Sequence, residues 1–187
     1  MKPKTPNPWS AHIKSYLHRN PWFNVVEQEI TLPSNQRYTY YTISFPRPAV
    51  GVVVRQDNKF LLLHQYRFIV DEYVWAIPSG GVEEGETPEN AAARELAEEA
   101  GYHAKSLTKL FDCYASYGCS NQQFILFLAE HLEPSPQPID HNEVISTKWF
   151  SREELLEMIQ KNEVVDNLSL SPLLYVLLED ARRGSSK

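Results

Sequence analysis

The sequence predicts an α/β fold, because short apolar runs typical of β-strands alternate with segments that carry helix start and stop signals. Strands are predicted at residues 23–32, 37–45, 50–55, 59–66, around Trp75, at 107–114, around Phe124 and at 145–150. A short helix is predicted at 11–17, and Asn35 is expected in the turn between the first two strands. With 187 residues, 42% of them apolar, the chain can form one domain with a sizeable core.

The most clearly marked helix is predicted over residues 88–100. Thr87 suits its N-cap, Pro88 suits its first position, and Gly101 suits the position after its last residue. These signals are local, so they predict both ends of the helix.

Two further helices are predicted after the last strand. The first covers 152–161, where Ser151 and Glu154 form a capping-box pattern. The second covers 171–182, where leucines recur at helical spacing.

Three acidic residues crowd one face of the helix at 88–100. Glu95, Glu98 and Glu99 are related by i,i+3 and i,i+4 spacing, and Arg94 is the only basic residue of the helix. Like charges at this spacing repel, and acids in the last turn also oppose the negative end of the helix dipole. A solvated acidic face is the plain alternative, but a Mg²⁺ or Mn²⁺ ion would resolve both conflicts.

This segment resembles the Nudix box, whose pattern is GX5EX7REUXEEXGU with U a bulky apolar residue. The pattern is matched at Gly80, Glu86, Arg94, Glu95, Leu96, Glu98, Glu99 and Gly101, and Tyr102 fills the final apolar position. The chain is thereby identified as a member of the Nudix superfamily. The resemblance implies an α/β/α sandwich with a mixed sheet, divided into an N-terminal β extension at 1–47 and a Nudix hydrolase domain at 48–187.

The resemblance also implies a reaction, namely hydrolysis of the pyrophosphate bond of a nucleoside diphosphate linked to another moiety. Mg²⁺, for which Mn²⁺ can substitute, would be the cofactor. Glu95 and Glu99 are the first expected metal ligands, Glu98 is the next, and the backbone carbonyl of Ser79 or Gly80 completes the set. Residues 79–81 are expected to interrupt the preceding strand, so that their backbone can approach a ligand.

Two further residues of the pattern are expected to support these ligands. By resemblance, Arg94 pairs with a box glutamate and fixes its rotamer, and Glu86 lies behind the metal ligands. The residue that activates the water is left open, because Nudix enzymes take this base from the box or from a later loop. Glu98 is the candidate in the box, and Glu143 is the candidate in the Pro-rich loop 133–143, with Glu133 behind it.

Segments outside the box resemble the branch that contains ADP-ribose and nucleotide-sugar pyrophosphatases. They are Asn20-Pro21-Trp22, residues 37–45, 50–55, 61–67 and 166–178. In the Gln65-Tyr66-Arg67 motif, the resemblance implies that Arg67 binds a substrate phosphate, for which a guanidinium is well suited. Two departures leave the substrate open, because Tyr117 stands where ADP-ribose cleavers often have proline and Ala76 stands where many have glutamate.

Aromatic residues are candidates for gripping the base of the substrate. Trp22 and Tyr40 lie in the N-terminal segment, whose counterparts in relatives supply stacking aromatics from both subunits of a homodimer, and Tyr117 is a third candidate. Packing in a core or an interface is the alternative for aromatics on a strand.

Charge and cysteine content exclude several other classes of protein. The net charge is −6 and no basic cluster occurs beyond Arg182-Arg183, so nucleic-acid binding is not expected. The two cysteines, Cys113 and Cys119, favour free thiols in a reducing compartment. Residues 1–9 do not resemble a signal peptide and no apolar run is long enough for a membrane span, so a cytoplasmic protein is expected.

Three functions follow from these observations. The first is Mg²⁺-dependent hydrolysis of ADP-ribose or a nucleotide sugar, which gives a nucleoside monophosphate and a sugar phosphate. The second is hydrolysis of a dinucleoside polyphosphate or an oxidised nucleotide. The third is a non-catalytic Nudix module that senses a nucleotide, against which the complete set of box acids argues.

Overall fold

A computed structural model of the protein describes residues 8–184, so most of the N-terminal stretch 1–9 lies outside the described residues. Ten strands and three helices lie within that range. In chain order they are β1 (Ser10–Arg19), β2 (Asn24–Thr31), β3 (Arg37–Ser44), β4 (Ala49–Gln56), β5 (Lys59–Arg67), β6 (Glu72–Ala76), β7 (Ser79–Gly81), α1 (Pro88–Ala100), β8 (Tyr102–Tyr114), β9 (Gln123–Pro134), β10 (Ser146–Ser151), α2 (Arg152–Gln160) and α3 (Asn167–Gly184). None of these helices within residues 8–184 has both the length and the apolar character that a membrane crossing requires.

The described residues divide into two compact units. The first consists of the residues up to Pro46 together with Tyr114–Gln122, and the second consists of Arg47–Cys113 together with the residues from Gln123 onward. The first unit contains a three-stranded antiparallel sheet in the order β1-β2-β3. Asn35 adopts a positive φ of 62° in the turn between β2 and β3, as the sequence predicts.

The helix predicted at 11–17 is wrong, because these residues form part of strand β1. This strand pairs with β2 from Ser10 opposite Thr31 to Arg19 opposite Asn24. Lys14 Nζ and Ser15 Oγ also donate to the Glu27 carboxylate across the pair, at 3.0 and 2.8 Å. A helix of two turns is marginal in water, so the ladder that β2 offers prevails over local propensity.

The second unit is built on a seven-stranded mixed sheet. Its main order is β10-β5-β4-β9-β8, with β6 paired to β5 and β7 paired to β4. Strand β4 runs parallel to β9 and antiparallel to β5 and β7. The mixed sheet agrees with the predicted fold.

Helices cover both faces of this sheet, because β4 and β5 are apolar on both sides. Val52 and Val54 pack on the cluster that contains Leu96 of α1, whereas Val53 packs on the cluster that contains Leu155 of α2 and Leu173 of α3. Near-continuous apolar strands of this kind are typical of sheets buried on two faces. The structure therefore confirms the α/β sandwich.

Two local predictions about the second unit need correction. Residues 79–81, expected to break the strand, form the short strand β7, in which Gly80 pairs with Val50. Helix α3 begins at Asn167, four residues before the predicted start. It can begin there because Asp166 accepts hydrogen bonds from the backbone N–H groups of Ser169 and Leu170.

Candidate active site

Helix α1 has both of its predicted ends and positions the acidic residues. The Thr87 side chain accepts a hydrogen bond from Asn90 N, and Gly101 adopts the left-handed conformation at φ 73°. Since Leu96 packs into the core, its neighbours on the helix are drawn toward the sheet. Glu95 and Glu99 are accordingly buried, at 9% and 2% exposure, whereas the Glu98 side chain is 46% exposed, so this acidic face is only partly solvated.

Arg94 connects the acidic residues of α1 to the segment before the helix. Its guanidinium donates to both carboxylate oxygens of Glu86 at 3.1 Å, to Glu95 Oε1 at 2.7 Å and to Glu98 Oε2 at 3.2 Å. It also donates to the carbonyl oxygen of Gly81 at 3.0 Å. These bonds lower the pKa of Glu86 and raise that of Arg94, so the cation holds the carboxylates in defined orientations.

Glu99 is held by two donors that come from different strands. Ser79 N donates to its Oε2 at 2.6 Å, and Gln65 Nε2 donates to its Oε1 at 3.0 Å. Burial raises the pKa of Glu99 to about 7, and burial also raises the pKa of Glu95. The site therefore places carboxylates where ionisation is costly unless a positive charge is close.

Gln65 also belongs to this site, although its role is not among those predicted from the sequence. It lies on β5, is 2% exposed and contacts Glu99 directly. Its position in the strand could have indicated this role. Side chains two places apart on a strand point to the same face, so Gln65 faces inward like Leu63 although it is polar.

The donor set fits a hard divalent cation in its chemistry. Glu95, Glu98 and Glu99 offer carboxylate oxygens, and Ser79 and Gly80, whose carbonyls are the predicted backbone ligands, lie next to Glu99 and Glu95. Within residues 8–184, no group of three or more His, Cys, Asp or Glu side chains is arranged so that it could hold a metal ion, and Arg94 donates to Glu95 and Glu98. The fit rests on the burial of Glu95 and Glu99, which raises their pKa and favours a nearby cation, and on the oxygen ligands themselves.

The loop after β9 is fixed to the C-terminal end of α1. Ser135 N donates to the Gly101 carbonyl at 2.8 Å and Asp140 N donates to the Glu98 carbonyl at 2.9 Å, which satisfies carbonyls that a helix end leaves unpaired. Glu143 follows in this loop, and its charge contributes to the raised pKa of Glu95 and Glu99. The structure thus brings Glu143 into electrostatic range of the acidic residues.

Glu133, the second candidate in that loop region, lies elsewhere. It is at the end of β9 and pairs with Lys105 at 2.6 Å. Both side chains are largely exposed, so the pair is an ordinary surface ion pair.

Arg67 and Ser79 line one cavity of about 390 Å³ in the second unit. Ala76 and Asp166 also line it, so the position where relatives carry a glutamate opens into the same space. The structure therefore brings the predicted phosphate-binding arginine and a predicted metal-site residue to a common cavity.

The three aromatic candidates belong to the first unit. Tyr40 and Tyr117 line a cavity of about 450 Å³, and the Tyr40 hydroxyl donates to the Gly118 carbonyl at 2.6 Å. Trp22 is 74% exposed. Their roles in substrate binding stay predictions.

Comparison with known proteins places the chain in a family. The NUDIX domain profile matches residues 45–169. A Bacillus subtilis (strain 168) protein named ADP-ribose pyrophosphatase is 30% identical over 82% of this chain and 84% of its own length. A hydrolase of CMP-5'-(N-acetyl-N-hydroxy-3-aminopropyl)phosphonate from Streptomyces rubellomurinus is 25% identical over 90% of this chain and 82% of its own.

A solved structure shares the fold over almost the whole chain. The crystal structure of an ADP compounds hydrolase aligns with a TM-score of 0.83 and 21% identity, covering 97% of this chain and 98% of the other. Together with the box geometry, these matches show that the chain belongs to the Nudix family, in the branch that also contains ADP-ribose pyrophosphatases, and is a Nudix hydrolase.

Proposed function

We propose that the protein hydrolyses the pyrophosphate bond of ADP-ribose or a nucleotide sugar with Mg²⁺, for which Mn²⁺ can substitute. The products would be a nucleoside monophosphate and a sugar phosphate. The observation that carries this proposal is the pair of buried carboxylates, Glu95 and Glu99, held in place by Arg94 on one side and by Ser79 and Gln65 on the other.

The relatives support the substrate class. Two similar proteins, from Bacillus subtilis and from Mycobacterium tuberculosis, carry the name ADP-ribose pyrophosphatase, and Nudix hydrolases generally use divalent cations. A third relative cleaves a cytidine nucleotide linked to a phosphonate, according to its name. The shared chemistry is a nucleotide joined to a second group through phosphorus.

A bound divalent cation would neutralise charge on the diphosphate and lower the pKa of a bound water. Glu95, Glu98 and Glu99 would hold it, with a backbone carbonyl of Ser79 or Gly80. Arg94 restrains the rotamers of Glu95 and Glu98, and Glu86 restrains Arg94 in turn. Arg67 would bind a phosphate in the cavity that it shares with Ser79.

Two carboxylates remain candidates for the base that deprotonates the attacking water. Glu98 is the more accessible box acid, with a side chain 46% exposed, and Glu143 lies in electrostatic range of Glu95 and Glu99. We assign the role to Glu143, because Glu98 is bound by Arg94. If Glu143→Gln has an unchanged kcat and Glu98→Gln is strongly impaired, Glu98 is the base instead.

We also propose that residues 1–47 form an extension through which two chains form a homodimer in the cytoplasm. In addition, Trp22, Tyr40 and Tyr117 would bind the base of the substrate. Large apolar side chains are exposed on this extension, including Trp22 at 74% and Tyr41 at 58%. The proposed dimer is tested by light scattering on a Tyr41→Ser protein. Stacking of Trp22 on the base is tested by the kinetics of Trp22→Ala, for which we expect a rise in KM without a fall in kcat.

A substrate panel tests the function itself. Purified protein with Mg²⁺ or Mn²⁺ is given ADP-ribose, GDP-mannose, UDP-glucose, diadenosine polyphosphates and 8-oxo-dGTP, and the products are identified by chromatography. Release of a nucleoside monophosphate and a sugar phosphate supports the proposal. Preferential cleavage of a polyphosphate or an oxidised nucleotide would replace the substrate class, and tight binding of ADP-ribose without cleavage would indicate a sensor.

A further inference from the structure

Gln65 is a polar residue in an apolar register. Along β5, Leu61 and Leu63 point to the face covered by α1, and Gln65 follows in the same register at 2% exposure. An amide in such a place is costly unless its polar atoms are hydrogen-bonded. The hydrogen-bond partners of Gln65 therefore indicate its role.

Only one end of the Gln65 amide is satisfied within residues 8–184. Nε2 donates to Glu99 Oε1 at 3.0 Å. In the ionised form that binds a cation, Glu99 only accepts hydrogen bonds, so the amide nitrogen then has to face Glu99 and the amide oxygen has to face away. That oxygen, Oε1, is buried and has no hydrogen-bond partner among the described protein atoms.

Glu99 is clamped through both of its oxygens. Gln65 Nε2 donates to one oxygen and Ser79 N donates to the other, so the carboxylate cannot rotate without breaking a bond. Each carboxylate oxygen has a second lone pair, and these remain available for a cation. Buried acceptors such as Gln65 Oε1 are normally satisfied by ordered water.

We propose that Gln65, which lies outside the Nudix box, is a positioning residue of the cation site. Its amide N–H holds Glu99 in the orientation that binds a divalent cation, and its carbonyl oxygen accepts a hydrogen bond from a water buried at the site. This inference rests on the proposed function only in taking Glu99 as a cation ligand.

The direct test is to measure the Mn²⁺ affinity of a Gln65→Met protein by electron paramagnetic resonance. Methionine keeps the length and apolar volume of the side chain but removes the donor and the acceptor. Loss of a group that orients a metal ligand weakens metal binding by about 10- to 100-fold, and we expect a rise of that size in the Mn²⁺ Kd. The metal-free Tm should fall only modestly, because Glu99 loses the donor from Gln65 but keeps the hydrogen bond from Ser79 N.

A Gln56→Met protein is the matched control. Gln56 ends the neighbouring strand β4, and its Oε1 accepts a hydrogen bond from Leu132 N at 3.2 Å. The same substitution there should leave the Mn²⁺ Kd at the wild-type value.

Wild-type Mn²⁺ affinity in Gln65→Met would overturn the proposal, and so would a lowered metal-free Tm with no change in Kd. If the variant does not fold, a high-resolution crystal structure of the wild type decides. Water within hydrogen-bonding distance of Gln65 Oε1 supports the proposal and a dry oxygen overturns it. A protein that cleaves no diphosphate substrate but loses Mn²⁺ affinity in Gln65→Met would contradict the proposed reaction and leave this inference standing.

Discussion

The carboxyl group of Glu95 occupies the space that a side chain on Gly80 would need. A Cβ built on Gly80 would coincide with the Glu95 carboxyl atoms, whereas a Cβ built on Gly81 meets no atom within 4 Å. Glycine is therefore required at position 80 if Glu95 of α1 is to keep its position.

This relationship predicts opposite outcomes for two neighbouring alanine substitutions. Gly80→Ala has to displace Glu95, which would also disturb its ion pair with Arg94, so kcat/KM and Mn²⁺ affinity should each fall by at least about 10-fold. Gly81→Ala adds the same methyl group in open space and should leave both quantities near the wild-type values. Equal effects of the two substitutions on Mn²⁺ affinity would contradict this assignment.

Arg94 should not be replaceable by lysine. Lysine keeps the positive charge but loses the planar fork that bonds to Glu86, Glu95 and Glu98 together, so we expect metal affinity and kcat/KM to fall by about 10- to 100-fold. Isothermal titration with Mg²⁺ or Mn²⁺ measures the first quantity and steady-state kinetics the second.

Arg55, on strand β4, offers a matched comparison. It bonds to both oxygens of Asp180 at 2.7 and 2.8 Å and to Glu130 at 2.8 Å, with a side chain 15% exposed. Arg55→Lys should lower the free energy of unfolding and leave the metal Kd unchanged. A metal Kd that responds equally to both substitutions would mean that Arg94 acts through stability alone.

The pH dependence of stability should carry the signature of Glu99. Its pKa is about 7 in the folded protein, against an ordinary value of 4.5, so the folded state binds the proton more tightly than the unfolded state does. The contribution of Glu99 to stability is therefore full below about pH 4.5 and is lost as pH rises to about 7. Glu99→Gln cannot ionise, so the free energy of unfolding of this variant, relative to wild type, should increase between pH 5 and pH 8.

Urea unfolding in EDTA at several pH values measures this difference. Glu157, whose pKa is lowered by its hydrogen bond to Lys161, provides a control of opposite sign. Its favourable contribution is present above its ordinary pKa, so Glu157→Gln should cost more stability at pH 7 than at low pH. A Glu99→Gln difference that is flat from pH 5 to pH 8 would show that burial does not raise the pKa of Glu99.

Ser169 should stabilise the segment that precedes β7. Its buried hydroxyl accepts a hydrogen bond from Ile77 N at 3.1 Å and donates to Asp166 at 3.1 Å. Ser169→Ala leaves a buried backbone N–H unsatisfied and should lower the free energy of unfolding by about 1–3 kcal/mol. Ser171→Ala, which removes an exposed bond to the Asn167 carbonyl, should change it by less than about 0.5 kcal/mol in the same denaturant titration.

Local signals explain which parts of the fold the sequence predicts well. The bounds of α1 agree with Thr87, Pro88 and Gly101, because caps act within one helical turn. Residues 11–17 were predicted wrongly because strand β1 depends on pairing with β2, a partner that sequence pattern does not identify. The early start of α3 depends on Asp166, whose capping bonds precede the leucine pattern.

In the site, too, contacts between residues close in sequence were predictable, whereas contacts between distant elements were not. Glu95, Glu98, Glu99 and Arg94 are close in sequence, so their spacing on one helix indicated a common site. The contacts of Glu99 with Gln65 and Ser79 join three separate elements, and only the folded chain reveals them. The burial of Glu99 likewise depends on the sheet beneath α1, so its raised pKa was not predictable from the charge pattern.

The proposed catalytic metal site on α1 is tested most directly by comparing wild type and Glu99→Gln for hydrolysis of ADP-ribose and GDP-mannose with Mg²⁺. We expect release of a nucleoside monophosphate and a sugar phosphate by the wild type, and loss of that activity in a Glu99→Gln protein that remains folded. A variant as active as the wild type would contradict the assignment of α1 as the catalytic metal site.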